Sequence, residues 1–303
     1  MALTLIATGQ GCHVVTEGGV RAVELTGRSV SVLRRAPTGF CLAVVDDREV
    51  WRRDPGGAWS QVAACPLPLQ SLVATPAGQV FGGGRDEAAL LRLTGTTMER
   101  VPGFDHVPGR PTWFAGGPPL GVRTLASTAD GAALLAGVHV GGVPRSADDG
   151  ATWVPTLPVA HDVHELAAHP MQPGWVVAAA AVGLCVSADG GQNWRVLRAG
   201  LPAGTVLAAA FRGDEALFSH QAGPFAARSQ LWRWRSGRPG IEPVGHGLPE
   251  WLQGKVDTGN IAAHGGAAAV ADQGGSVWFS AAAGSPWAQI ATGLPAVLGV
   301  VVL

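Results

Sequence analysis

Ser146-Ala147-Asp148-Asp149-Gly150-Ala151-Thr152-Trp153 and Ser187-Ala188-Asp189-Gly190-Gly191-Gln192-Asn193-Trp194 are two copies of one pattern, S-x-D-x-G-x-x-W. Their tryptophans stand 41 positions apart. A turn that recurs at such a period marks one supersecondary unit copied along the chain. Asp and Ser can hydrogen-bond the backbone of a tight hairpin, Gly permits its turn geometry, and Trp can pack beneath it.

Worn copies extend the repeat. Arg52-Arg53-Asp54-Pro55-Gly56-Gly57-Ala58-Trp59 keeps Asp, Gly and Trp, and Ser280-Ala281-Ala282-Ala283-Gly284-Ser285-Pro286-Trp287 keeps Ser, Gly and Trp. Gly-Leu-Pro follows three copies, at 200–202, 247–249 and 293–295. Short apolar runs come next, such as Val206-Leu207-Ala208-Ala209-Ala210, which suits a buried strand. The unit around the second octapeptide predicts four strands: Val163–His169, Trp175–Ala181, Leu184–Ser187 and Trp194–Leu197. No stretch carries a 3.6-residue apolar period with helix caps.

Cutting after each fourth strand gives six units, at 28–64, 65–104, 105–158, 159–202, 203–249 and 250–295. One apolar strand remains at 296–303, with three more near the start, Leu3–Ala7, His13–Thr16 and Val20–Leu25. Together they complete a seventh unit in which the two chain ends pair. Seven units in 303 residues average about 43 each, the size of a four-stranded propeller blade. The expected fold is all-β: one seven-bladed β-propeller domain spanning 1–303, its last blade closed by the C-terminal strand. Closure also protects sheet edges that an open stack would expose.

Composition agrees. Hydrophobic residues are 47%, charged residues only 14%, and 44 Gly with 22 Pro punctuate the chain; these values exclude a disordered chain. A net charge of −1 gives no general attraction to nucleic acid or anionic membrane. Cys12, Cys41, Cys65 and Cys185 have neither CxxC nor zinc spacing and read as buried thiols. The N-terminus lacks a positive n-region, and no apolar run reaches the ~18 residues of a membrane span, so a soluble cytoplasmic protein is expected.

The chain resembles the Asp-box (BNR-repeat) β-propellers of the sialidase-like superfamily, and in closer detail the bacterial proteins labelled only as BNR/YVTN-like repeat proteins. The motif is clean at 146–153 and 187–194, and the period covers nearly the whole chain. The resemblance implies that the octapeptide turns lie on the face away from the active site. It does not imply sialidase chemistry, which uses a Tyr nucleophile, because the chain has no Tyr. It also lacks the Arg-Ile-Pro motif of sialidases.

Consecutive propeller strands alternate direction, so loops from strand four to the next strand one share a face with loops from strand two to strand three. The turns occupy the opposite face. Chemically capable residues cluster on the loop face. Asp105–Phe114 enters blade three, His161-Asp162-Val163-His164-Glu165 enters blade four, and Trp251–Asn260 enters blade six. Aligning the inner strands puts Ser31, Gln70, Arg123, His164 and Thr205 at equivalent positions near the channel mouth; a slip of one residue would exchange His164 for Glu165. Arg123, His139, His164, His220 and Asp257 are the candidate ligand-binding residues. Such a set suits an anion held by Arg and His, or a divalent metal held by neutral imidazoles and a carboxylate, with His139, His161 and His164 as candidate metal ligands.

The expected function is binding of a small anionic or hydroxylated ligand at this mouth, with lyase or hydrolase action through His164 or Glu165 as general base and Arg123 as anion clamp. Whether the protein is an enzyme stays open. The alternative is a non-catalytic protein-interaction propeller presenting Arg110–Phe114. A two-carboxylate glycosidase drawing on Glu165, Asp257 and Asp46 is the third reading. No Ser–His–Asp elbow, phosphate loop or HExxH is present.

Overall fold

The computed structural model describes residues 2–113, 120–223, 225–236, 238 and 240–303. Its strands sort into the seven expected four-stranded units, joined in sequence order within each. The first two units, running from Val30–Arg35 to Trp59–Ala64 and from Leu69–Ala74 to Thr97–Arg100, form one eight-stranded sheet because their outer strands meet at Thr97 and Ala64. The C-terminal strand Val297–Val302 pairs antiparallel with Thr4–Thr8, completing the unit that continues through Gly11–Thr16 and Gly19–Glu24. Inner strands touch their neighbours all the way round, including Val297–Val302 against Val30–Arg35, so the ring closes.

Burial explains the ring. Second strands such as Cys41–Val45, Val176–Ala180 and Ala267–Ala271 are buried along their whole length. A sheet apolar on both faces must pack against a sheet on each side. Among the described residues seven apolar clusters result, one between each pair of adjacent blades.

The octapeptides form the hairpins between strands three and four. Ser146 Oγ donates to Asp148 Oδ1 (2.8 Å) and accepts from Gly150 N (2.9 Å), while Asp148 Oδ1 accepts from Thr152 N (2.8 Å). The second copy repeats this: Ser187 Oγ donates to Asp189 Oδ1 (2.8 Å), Gly191 N donates to Ser187 Oγ (2.8 Å), and Asn193 N donates to Asp189 Oδ1 (2.9 Å). The Gly before x-x-Trp has φ of +88° at Gly150, +84° at Gly191 and +86° at Gly284, and in the first worn copy the positive φ falls one residue later, +97° at Gly57, a region in which a side chain is strained. The worn copies keep the turn with other partners. In the last, Ser280 Oγ accepts from the buried Arg212 guanidinium (3.2 Å) where Asp is missing. Ser187 is buried, so Ser187→Ala leaves Gly191 N unpaired; the expected loss is about 1–3 kcal/mol, checked by urea unfolding.

The structure departs from the sequence reading in three places. The inner strand of blade five is Ala209–Arg212, not Val206–Ala210: Val206 N donates to Ala180 O in blade four and Ala208 N to Ser219 Oγ, so these amides are taken outside the ladder. A helical turn, Pro102–Asp105, and two 3-10 turns, Arg110–Thr112 and Val159–His161, fold within connections too short to show an apolar period. Leu252–Gln253 adds a small pairing with Arg228–Ser229.

Candidate functional site

Five inner strands carry the same irregularity; in blade seven the pairing passes from Ala7 with Gly299 to Thr8 with Val297, skipping Leu298. In blade one the pairing passes from Val30 with Val45 to Val32 with Val44, skipping Ser31. Blade two skips Gln70, blade three Arg123 and blade four His164 in the same way. A β-bulge re-aims the side chain of its extra residue. Four of the five residues aligned from sequence are therefore bulged residues at the loop-face end of the channel, and the fifth bulge, Leu298, was not among them. Thr205 differs, since it pairs with Gln221 in an isolated bridge.

Four of the bulged residues, Ser31, Gln70, Arg123 and Leu298, line a mouth cavity of about 230 Å³ with Arg34, Asp257 and Asn260. Ser31 Oγ and Asn260 Oδ1 are buried without a hydrogen-bond partner, and Asn260 is only 3% exposed. Gln70 packs so closely on Gly121 that a Cβ there would meet Nε2 at 2.1 Å.

The cavity floor is the segment 255–260, which crosses the channel. Arg123 Nη2 donates to Asp257 Oδ1 (2.7 Å) and Arg123 Nε to Thr258 Oγ1 (3.0 Å). Thr258 Oγ1 donates to His164 O (3.0 Å), and Lys255 Nζ pairs with Asp257 Oδ2 (2.7 Å). Burial raises the Asp257 pKa, but Arg123 and then Lys255 more than offset it and hold the carboxyl below its usual range. At Gly259, φ +82° turns the chain so that its N–H meets both Glu165 oxygens, at 3.1 and 3.2 Å. Glu165 also accepts from Ala209 N (3.0 Å) and Arg34 Nη2 (3.3 Å). One carboxyl thus clasps blades one, four, five and six. Burial pushes its pKa up to about 7 against the opposing effect of Arg34 and the two amides.

The structure brings Arg123 and Asp257 together and takes the candidate histidines elsewhere. His164 turns aside: its Nδ1 lies 2.9 Å from Val206 O, and its Nε2 lies 3.5 Å from Asp162 Oδ2. His139 Nε2 lies 3.7 Å from the other Asp162 oxygen. The carboxylate therefore lies between the two rings. The His164 contact holds Asp162 below its usual pKa, and burial lowers that of His139. His161 sits on its 3-10 turn with Nδ1 unpartnered. His220 packs edge-on against Trp232 in blade five, where burial lowers its pKa.

Among the described residues no group of three or more His, Cys, Asp or Glu is arranged to hold a metal ion. Of the expected set His139, His161 and His164, the first and last flank the Asp162 carboxylate. Glu165 and His164 do not line the mouth cavity, and the lone pairs of Glu165 are taken by three donors, so neither stands as an open general base there. Asp46 pairs with Arg28. On the Arg110–Phe114 loop, Trp113 is half-buried against Phe104 with Arg110 stacked over it, rather than freely exposed; Phe114 lies outside the described residues. No helix among them is long and apolar enough to cross a membrane.

Arg34 and the clasping role of Glu165 were missed from sequence. The available signal was a charge pair inside the apolar inner strand Val30–Arg35, a position at which a buried ion needs a partner.

No family model and no curated protein matches the sequence. Among solved structures, the chain is similar to a GH74 enzyme from Niastella koreensis, with 14% identity and a TM-score of 0.63 over 95% of this chain and 47% of that one. It is similar to virginiamycin B lyase from Staphylococcus aureus, with 10% identity and a TM-score of 0.65 over 97% and 89%. It is also similar to the WD40 repeats of RRP9, with 12% identity and a TM-score of 0.63 over 98% and 88%. The chain spans about half the length of the GH74 enzyme. At these identities the likeness shows the β-propeller fold, which enzymes and WD40 proteins share.

Proposed function

We propose that this propeller binds a small hydroxylated anion in the loop-face mouth cavity, and that it is an Asp-box propeller whose octapeptide turns mark the opposite, structural face. The observation that carries the reading is the convergence of the three polar bulged side chains, Ser31, Gln70 and Arg123, with the unpartnered Asn260 Oδ1 around one cavity. Arg123 supplies the charge and its Nη1 donors, its Nε and Nη2 being engaged by Thr258 and Asp257. Ser31, Gln70 and Asn260 supply the neutral hydrogen bonds that a sugar acid or hydroxy acid offers to share. Two buried groups left unpaired favour a ligand that pairs them.

Isothermal titration with a panel of uronates and hydroxy acids tests the reading. Saturable binding by at least one of them is expected, weakened about 10–100-fold by Arg123→Gln, as loss of a charged hydrogen bond implies. Ser31→Trp, which fills the cavity, is expected to abolish it. Absence of binding across the panel, or binding indifferent to both substitutions, sinks the proposal.

A second reading, a protein-interaction propeller, rests on Phe225, which is 97% exposed on the same face, and on Trp251 nearby in the chain order of that rim. Capture of a partner that is lost with Phe225→Ser while the mouth titration stays intact would favour it.

A further inference from the structure

The channel is divided. Leu33 and Arg34 border both the mouth cavity and a second chamber of about 340 Å³, and Glu165 borders the second alone. The Arg34–Glu165–Gly259 clasp is the partition between them. The second chamber opens where the inner strands end, beside Pro37, Pro76 and Pro170 in the turns from strand one to strand two. These turns share a face with the octapeptide hairpins. The chamber therefore faces away from the site proposed above.

Its chemistry differs from that of the mouth. The walls are apolar and mostly small, including the half-buried Val73, Ala167, Ala210 and Ala262. Its inner end is an ion pair already satisfied by backbone amides. Its outer end carries Arg35, whose Nε is buried without a partner and with which no carboxylate among the described residues pairs. His264 stands beside Arg35 and has its pKa lowered by burial and then by that guanidinium. His169 also borders the chamber, but its Nδ1 already accepts from Met171 N and Gln172 N. From Glu165 at the partition to Ala168 at the end of the same strand is three residues, a depth of roughly 10 Å.

We infer that this chamber binds a small amphiphilic carboxylate, with its head group on Arg35 at the rim and its apolar chain running inward to the clasp. Largely apolar walls with a few placed polar groups are the usual form of a small-ligand site; here those groups are Arg35 and His264 toward the rim and the Arg34–Glu165 pair at the inner end. The chain removes the small-residue wall from water, and the carboxylate pairs Arg35, which unlike its neighbour Arg34 has no carboxylate partner among the described residues.

Titration of the full-length protein with octanoate, followed by isothermal calorimetry, tests the inference. Saturable binding is expected. Arg35→Gln is expected to weaken it at least tenfold, and so is Ala210→Leu, which narrows the chamber from blade five. Ala262→Leu narrows it from blade six and serves if the first fill variant fails to fold. Absence of saturable binding, or affinity unchanged by either the Arg35 or the fill substitution, overturns the inference. Arg123→Gln is expected to leave octanoate binding unchanged, so the two sites stand or fall separately.

Discussion

Glu165→Ala is expected to lower the free energy of unfolding by about 3–5 kcal/mol, the range for removing one partner of a buried charge pair. Glu165 is 3% exposed and accepts from Ala209 N, Gly259 N and Arg34. Alanine leaves all three donors without this acceptor. The effect extends past one blade, because the carboxyl fastens the segment 255–260 across the channel. The same residue predicts a pH signature. Burial raises its folded pKa to about 7 from 4.5, so between those values the folded protein holds a proton that the unfolded chain has released. More protons bound in the native state means that stability falls as pH rises. The full difference is on the order of 3 kcal/mol, favourable below about pH 4.5 and lost above about 7. Four histidines, His13, His139, His220 and His264, have pKa values lowered by burial and act in the opposite direction. The comparison of wild type with Glu165→Gln isolates the carboxyl. Urea unfolding from pH 4.5 to 8 should show the wild type losing stability relative to the variant as pH rises; parallel curves would refute the assignment.

Trp153→Ala is expected to destabilise the protein by about 3–5 kcal/mol, as deletion of a buried aromatic usually does. Trp153 is 4% exposed, its ring meets Phe104 edge-on at 5.0 Å, and its Nε1 donates to Gly150 O (3.0 Å). Phe104 belongs to the helical turn after blade two, so the pair joins neighbouring blades. Trp194 fills the matching place in blade four but is only half-buried, so Trp194→Ala should lose less. Chemical unfolding of both variants gives the order. An equal or larger loss at Trp194 would show that burial does not govern the contribution of these tryptophans. Both turns lie away from the mouth, so ligand titration there should survive either change.

Local chemistry was legible from sequence where neighbouring residues complete it. Ser146, Asp148, Gly150 and Trp153 satisfy one another within eight positions, so the motif announced its hairpin, and the copies announced the blades. The alignment of Ser31, Gln70, Arg123 and His164 was legible for a related reason: each stands at the same place relative to its strand, and each became a bulge. Side-chain destination was not legible. His164 and Arg123 hold equivalent positions, yet one turns to Val206 O and the other to Asp257, because their partners come from different blades.

The sequence by itself determined the repeat, the closure of the ring by its two ends, and which face carries the structural turns, since strand alternation and turn chemistry are set by near neighbours. Only the tertiary structure decided that the channel is stoppered. Arg34, Glu165 and Gly259 lie 131 and 94 positions apart along the chain, and no periodicity relates them. They meet because the closed ring brings inner strands from every blade to one axis, where a buried carboxyl must find donors wherever the fold supplies them.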